Sequence, residues 1–292
     1  VRLLKTYNAT LGASPRTMAN LEALRAPDTF CVIGGQQAGL LGGPVYTFYK
    51  IVTTIRLAQH LQDELEGRFV PVFWLASEDH DFDEINHAYY VKPDDEIGAV
   101  DFDWEDAGRP VADLPLTDKV RDAFAAYFEK LPANSRTDWV KEQFSPHSEE
   151  IYCTWQARVW SQLFSEHGLI LAEPRVLRPA AGDFFHNILA NSDTIEHLLD
   201  DADGRLRQAG YEPVLEPGRA GQLYTFDSRG ARVRVGEPQE HLEQASVSPQ
   251  RYSSDVALRP LFADSLLPIV ASVLGPGETA YHAMLHSIYE LL

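Results

Sequence analysis

The chain has 292 residues and an apolar fraction of 45%, enough for one large buried core or two smaller ones. Its 25 Lys and Arg stand against 43 Asp and Glu, a formal net charge of −18 that argues against nucleic acids and anionic membrane surfaces as partners. There are two cysteines but no CxxC pair, no apolar run near the ~20 residues of a membrane span, and no signal-peptide pattern; a disulfide framework is excluded and a reducing cytoplasm is the expected setting.

Residues 1–26 read as exposed helix ending at Pro27. Phe30–Ile33 then reads as a strand, and Gly34, Gly35, Gly39, Gly42 and Gly43 form a loop around Gln36 and Gln37 in which backbone can approach a ligand closely. Pro44 suits the first turn of a helix that runs to about Glu66, buries Phe48, Val52, Ile55, Ala58, Leu61 and Leu65, and carries Tyr46 and Lys50. Phe69–Ala76 is almost continuously apolar, as a strand buried on both faces of a parallel sheet would be. Strand, glycine loop, helix and strand make one βαβ unit with an expected right-handed crossover.

After that second strand the apolar run breaks into Glu78, Asp79, His80, Asp81, Asp83, Glu84, Asn86 and His87. Ligands of parallel sheets sit beyond the carboxyl ends of the strands, so these residues are candidates for chemistry. Three readings are open. The favoured one is an acid–base or amine-binding site, with His80 as the base among Glu78, Asp79 and Asp81. A hydrogen-bonded turn capped by Asp79 or Asp81 is the second. A metal site is disfavoured, because His80 and His87 lie seven apart with no His-x-x-x-His or Cys partner. The glycine loop likewise has two readings, a nucleotide cradle at a helix N-terminus or a turn tightened for packing, and it matches neither GxGxxG nor GxxxxGK[ST].

Val91–Pro115 is crowded with acids and reads as a solvated loop or edge hairpin. Helices follow over 116–168, then a short strand Gly168–Ala172 entering Glu173-Pro174, then helical material over 179–209. Leu223–Phe226 and Val233–Val235 predict a small β-rich insertion. Arg259 is placed to pair with a carboxylate or phosphate, or to form a structural ion pair. The last apolar strand, Leu267–Leu274, runs into Gly275-Pro276-Gly277-Glu278, either a third lip of the cleft or a simple strand-to-helix turn. The recurring pattern predicts an α/β fold: a doubly wound, mostly parallel sheet in one domain over 1–292, with insertions at about 92–150 and 210–250. Gln37, His80 and Glu278 each follow an apolar run, so all three are expected in one cleft.

Gly35-Gln-Gln-Ala-Gly-Leu, Gly43-Pro-Val-Tyr with Lys50, Pro71-Val-Phe-Trp with Ser77-Glu-Asp-His-Asp-Phe, Ile85-Asn-His87, Leu258-Arg-Pro-Leu and Gly275-Pro-Gly-Glu with Ala280-Tyr281 resemble, in order and spacing, the cysteine ligase family of bacillithiol biosynthesis, BshC. The resemblance implies a Rossmann-like core and a reaction joining cysteine to glucosaminyl-malate. It also implies a C-terminal coiled coil that makes the full-length protein a homodimer; neither the coiled coil nor the family's N-terminal lead-in falls within these residues. Gly34 stands where Thr is usual and Asp255 where Asn is usual. Under this resemblance His80, Glu78, Asp79 and Asp81 are catalytic. Gln36, Gln37, Tyr46, Lys50, Asn86, His87, Arg259, Glu278 and Tyr281 bind substrate, and Gly35, Gly39, Gly42, Gly43, Gly275 and Gly277 bind nucleotide. A carboxylate and an amine do not condense unaided in water, so ATP is the expected cosubstrate, with Mg²⁺ as a phosphate-bound ion and no dedicated metal cage. The alternative is a nucleotide-binding scaffold or assembly protein that keeps the fold without the chemistry, since neither a Lys-Met-Ser-Lys-Ser nor a His-x-Gly-His motif is present.

Overall fold

Two helices, α1 (Arg2–Thr10) and α2 (Pro15–Ala23), open the chain in a computed structural model that describes residues 1–292 except His80, Asp106, Ala107, Pro217 and Arg219. They are less exposed than their polarity predicts, because Leu4, Asn8 and Leu21 are fully buried. Asn8 explains how a polar residue fits there: its Nδ2 donates to Leu171 O at 2.8 Å and its Oδ1 accepts from Leu171 N at 3.0 Å. One side chain thereby satisfies both polar groups of a backbone unit inside the core.

The chain divides into two compact units, Val1–Pro174 and Arg175–Leu292. In the first, β1 (Thr29–Gln36), α3 (Val45–Glu64) and β2 (Arg68–Leu75) form the predicted βαβ unit, with β1 and β2 parallel and in register from Thr29 opposite Arg68 to Gln36 opposite Leu75. β3 (His87–Val91) and β4 (Ile97–Asp101) make an antiparallel hairpin whose turn exposes Asp94, Asp95 and Glu96, which is the solvated reading of the acidic stretch. Helices α4 (Asp118–Glu129), α5 (Ser135–Phe144) and α6 (Tyr152–Leu163) follow, and β5 (Ile170–Ala172) then joins the other edge of β2 in parallel. Val70, Val72, Phe73 and Leu75 are fully buried, as the unbroken apolar run of a central strand requires.

α3 turns a different face inward from the one its apolar residues suggest. Ile55 and Ala58 are buried, but Val52 is 44% and Leu65 54% exposed, while Thr47, Lys50 and Thr54 are buried in their place. The hydroxyl of Thr54 donates to Lys50 O at 2.8 Å, so one of these polar side chains satisfies itself within the helix. Across the unit, α6 presents Tyr152, Trp155 and Trp160, all essentially buried, and Arg158 pairs with Glu150 at 2.5 Å.

The second unit continues from α7 (Pro174–Leu177) through α8 (Gly182–Ala190) and α9 (Ser192–Gln208). β6 (Leu223–Phe226) pairs antiparallel with β7 (Arg232–Arg234), and after α10 (Leu242–Val247) also with β8 (Ser253–Ser254), giving the small β-rich element expected there. α11 (Arg259–Leu266), β9 (Ile269–Val273), α12 (Pro276–His282) and α13 (His286–Leu291) complete it. Its core gathers Phe184, Phe185, Tyr252 and Phe262 ring against ring. No described helix is long and apolar enough to cross a membrane.

Candidate functional site

Because β1 and β2 run parallel and in register, their carboxyl ends deliver Gln36-Gln37 and Ala76–Asp79 to one edge of the sheet. The two segments are joined there: Ala76 N donates to Gln36 O at 2.9 Å, and Gln37 Nε2 donates to Asp79 Oδ2 at 3.3 Å. The loop before α4 straps the second segment down, with Val111 N donating to Asp79 O and Ala112 N to Ser77 O at 2.9 and 2.8 Å. On the far side of β2, Ser77 Oγ donates to Glu173 Oε1 at 2.9 Å, and both residues are fully buried.

Lys50 reaches this edge from α3. Its Nζ is buried, donates to Gly35 O at 2.9 Å and Gln36 Oε1 at 3.1 Å, and lies 5.2 Å from the centre of the Tyr46 ring. The ammonium therefore fastens α3 to the end of β1 and orients the Gln36 amide. Gln37 is oriented by Asp79, since a carboxylate accepts only: Nε2 must face Asp79, and Oε1 is left buried with no hydrogen-bond partner among the described residues. Gln36, Gln37, Gly39, Pro44 and Glu84 line a cavity of about 290 Å³. With Glu78 only 2% exposed beside this segment, the edge is rich in acceptors and suits a ligand that donates hydrogen bonds.

Of the remaining sequence-assigned residues in this unit, Asp79 Oδ1 accepts from Asp81 N at 3.4 Å, a weak form of the turn that was the competing reading. Asp81 itself is exposed and its side chain makes no cap. His87 Nδ1 lies 3.0 Å from Asn86 Oδ1, a neighbouring pair at the start of β3. His80, assigned as the base, lies outside the described residues.

The glycines answer to packing. Gly42, at φ +91°, would place a Cβ 2.9 Å from the Trp160 ring, and a Cβ on Gly39 would meet Gly43 Cα at 2.6 Å. The loop amides are already committed: Gly39 N donates to Gln37 O, Leu40 N to Ile85 O, Gly43 N to Leu40 O, and Gly42 N to both Gly39 O and Gln156 Oε1. A phosphate cradle needs amides facing the ligand, and these four do not fit one. The start of α3, exposed at Val45, is a helix N-terminus, whose dipole suits an anion.

In the second unit Glu278 has a structural role, its Oε2 accepting from the N-cap Gly275 N at 2.6 Å and so capping the start of α12 at Pro276 and Gly277. Arg259 opens α11. Burial pushes the Tyr281 hydroxyl up to about 12, and the nearby charges of Arg259 and Glu278 act on it in opposite directions. These three assigned residues thus gather in one place. Asp255, at the position where the family has Asn, is buried; desolvation raises its carboxyl, and it accepts from Gln222 N and Leu258 N.

Four further residues shape the first unit's site without a role assigned from the sequence. Glu84 lies inside the acidic motif, Ser77 heads it, and Glu173 follows an apolar run just as Glu78 does, so all three left a signal. Gln156 left none, because a glutamine within an aromatic helix is ordinary.

The parallel strands, their crossover helix and the polar residues at their carboxyl ends define a Rossmann-like α/β domain. Residues 1–292 match the family described as "Bacillithiol biosynthesis BshC, N-terminal Rossmann-like domain", and the chain belongs to that family. It is similar to proteins named "Putative cysteine ligase BshC" from Geobacillus kaustophilus (34% identity over 99% of this chain and 57% of the relative) and Bacillus cytotoxicus (32% over 100% and 58%). A third, from Koribacter versatilis, is 32% identical over 99% of this chain and 57% of the relative. The chain thus spans somewhat over half the length of the curated relatives it matches.

Proposed function

We propose that this chain is the core of a ligase that adds cysteine to glucosaminyl-malate in bacillithiol biosynthesis. The observation that supports it most is the acceptor-lined edge at the ends of β1 and β2, where Gln37 Oε1 is buried without a donor among the described residues and Asp79 and Glu84 add carboxylates. Both substrates of such a reaction bring amino groups, and the sugar brings hydroxyls; these are the donors the edge calls for. In this reading the ammonium of cysteine or the amine of the sugar sits against Gln37 and the carboxylates of Glu78 and Asp79, and His80 removes the amine proton. ATP activates the cysteine carboxylate when bound, and the start of α3 is the place at this edge whose dipole suits its phosphates. Lys50 holds α3 to β1, so that this start and the amine-binding side chains keep a fixed spacing.

The test is a reconstitution with purified full-length protein, cysteine, ATP and glucosaminyl-malate, reading the thiol product by mass spectrometry. Product formation that falls by about tenfold or more in Gln37→Leu and Asp79→Asn, with the fold intact, is the expected result. ATP binding without any product, beside a working pathway enzyme as control, would replace this reading with the scaffold.

A further inference from the structure

Toward the opposite end of β2 from this edge, a pocket of about 400 Å³ opens within the first unit, lined by the cationic or polar Arg16, Arg68 and His167 and by the apolar Ile55, Phe69 and Pro71. The pocket takes its β2 residues, Arg68, Phe69 and Pro71, from the first half of the strand, whereas the edge lies beyond its last residue, Leu75. The chain's acids outnumber its bases by 43 to 25, yet among the described residues no Asp or Glu lines this pocket. Among the described residues neither guanidinium has a carboxylate partner there. Arg16 Nη1 donates to a backbone oxygen, Glu166 O, at 3.1 Å, and Arg68 Nη2 donates to the neutral Asn20 Oδ1 at 2.9 Å. Asn20 is itself held, its Nδ2 donating to Gly168 O at 2.8 Å, so the Arg68 fork is set in place before any ligand arrives. A guanidinium carries five N–H donors, and each of these two arginines commits one nitrogen to the bond just described. Gln59 adds an amide to the lining, and Ile55, Phe69 and Pro71 add an apolar surface on which the Phe69 ring is stacked on Phe30 at 5.7 Å.

We infer that this pocket is a binding site for a small oxyanion, a carboxylate or phosphate ester, attached to a flat apolar body. Arg16 and Arg68 hold the anionic oxygens, and the body lies on Ile55, Phe69 and Pro71. The inference stands apart from the ligase reading, since none of its residues belongs to the edge at the carboxyl ends of β1 and β2. A net charge of −18 repels anions at long range, so binding here depends on the two forks and not on a general field.

The experiment is calorimetric titration of the purified chain at low salt with inorganic phosphate, phenyl phosphate and phenylacetate, each repeated on Arg16→Gln, Arg68→Gln and Arg56→Gln. Arg56 is an exposed residue of α3 outside the pocket lining and serves as the control. At least one aromatic anion is expected to bind saturably and about tenfold tighter than inorganic phosphate, because only it covers the apolar surface. That affinity is expected to fall about tenfold or more in Arg16→Gln and in Arg68→Gln and to stay unchanged in Arg56→Gln, with circular dichroism confirming that each variant folds. Stronger binding of phenyl phosphate assigns the phosphate source, and stronger binding of phenylacetate the carboxylate. No saturable binding of either aromatic anion below about 10 mM, or equal affinity in the Arg16 and Arg68 variants and the native chain, would overturn the inference.

Discussion

Replacing Gly42 by alanine isolates what the glycine loop is for. Gly42 and Gly12 both have positive φ, +91° and +69°, but a Cβ on Gly12 meets nothing within 4 Å, whereas a Cβ on Gly42 lies 2.9 Å from two carbons of the Trp160 ring. Gly12→Ala is therefore expected to cost only the backbone term, about 1–2 kcal/mol. Gly42→Ala adds overpacking of a buried ring, typically ~1–3 kcal/mol, for a total of about 2–5 kcal/mol. All five tryptophans lie before residue 174, so urea unfolding followed by tryptophan fluorescence reports the first unit. In a double-mutant cycle with Trp160→Phe, which trims the contacting ring, a coupling of at least about 1 kcal/mol is expected. If the two alanine variants lost equal stability, or the cycle showed no coupling, the packing explanation of the loop would fall and the nucleotide explanation would regain ground.

Asn8→Ala removes both polar contacts to Leu171 and leaves a buried N–H and C=O unpaired; a loss of about 2–4 kcal/mol by the same fluorescence assay is expected, and a loss under ~1 kcal/mol would contradict it. Ser77→Ala strips the buried Glu173 of its hydroxyl donor and is expected to cost about 1–3 kcal/mol by the same assay, and an unchanged stability would contradict it. For Glu150, burial pushes the carboxyl up, but the Arg158 hydrogen bond, the His147 backbone N–H and both residues' charges pull it further down, to a net value below the ordinary range. Its stabilisation is thus fully present above the unfolded carboxylate value and lost as pH falls through the lower folded one, so Glu150→Gln is expected to flatten the acid limb of stability below about pH 4.5; parallel limbs in mutant and native chains would count against the pair. Cys31 is buried and its thiol is pushed up to about 12, and Cys153 is fully buried, so a thiol-specific reagent at pH 8 is expected to label neither until urea unfolds the first unit.

What the sequence made legible follows from how far each signal depends on distant partners. The βαβ unit was readable because β2 is buried on both faces, which forces an unbroken apolar run, and because β1 and its glycines sit beside it in sequence. The phase of α3 was not. Hydropathy placed Val52 and Leu65 inward, whereas Thr54 occupies the core by bonding its own helix and Lys50 by bonding the end of β1. A residue's polarity shows that it needs partners without showing that the fold supplies them. The same holds for Asn8, whose partner Leu171 is 163 residues away.

The candidate site divides along the same line. Strand ends announce themselves, so Gln36, Gln37, Glu78 and Asp79 could be named as candidates from position alone, and the Gln37–Asp79 bond joins two of them. The glycines around them left two readings in the sequence because a ligand approaching a backbone and a ring packed on it both demand the absence of a Cβ. What separates the readings is where the amides point. Here one of them points at Gln156, a side chain on α6 that the glycine pattern gives no means of naming. Gln156 Oε1 accepts from Gly42 N while Trp160, one turn further along the same helix, covers its Cα, so α6 and the loop fix each other. The loop that follows Gln37 is held by that packing, and a change at Gly42 reaches Gln37 through the four intervening residues, Ala38 to Leu41.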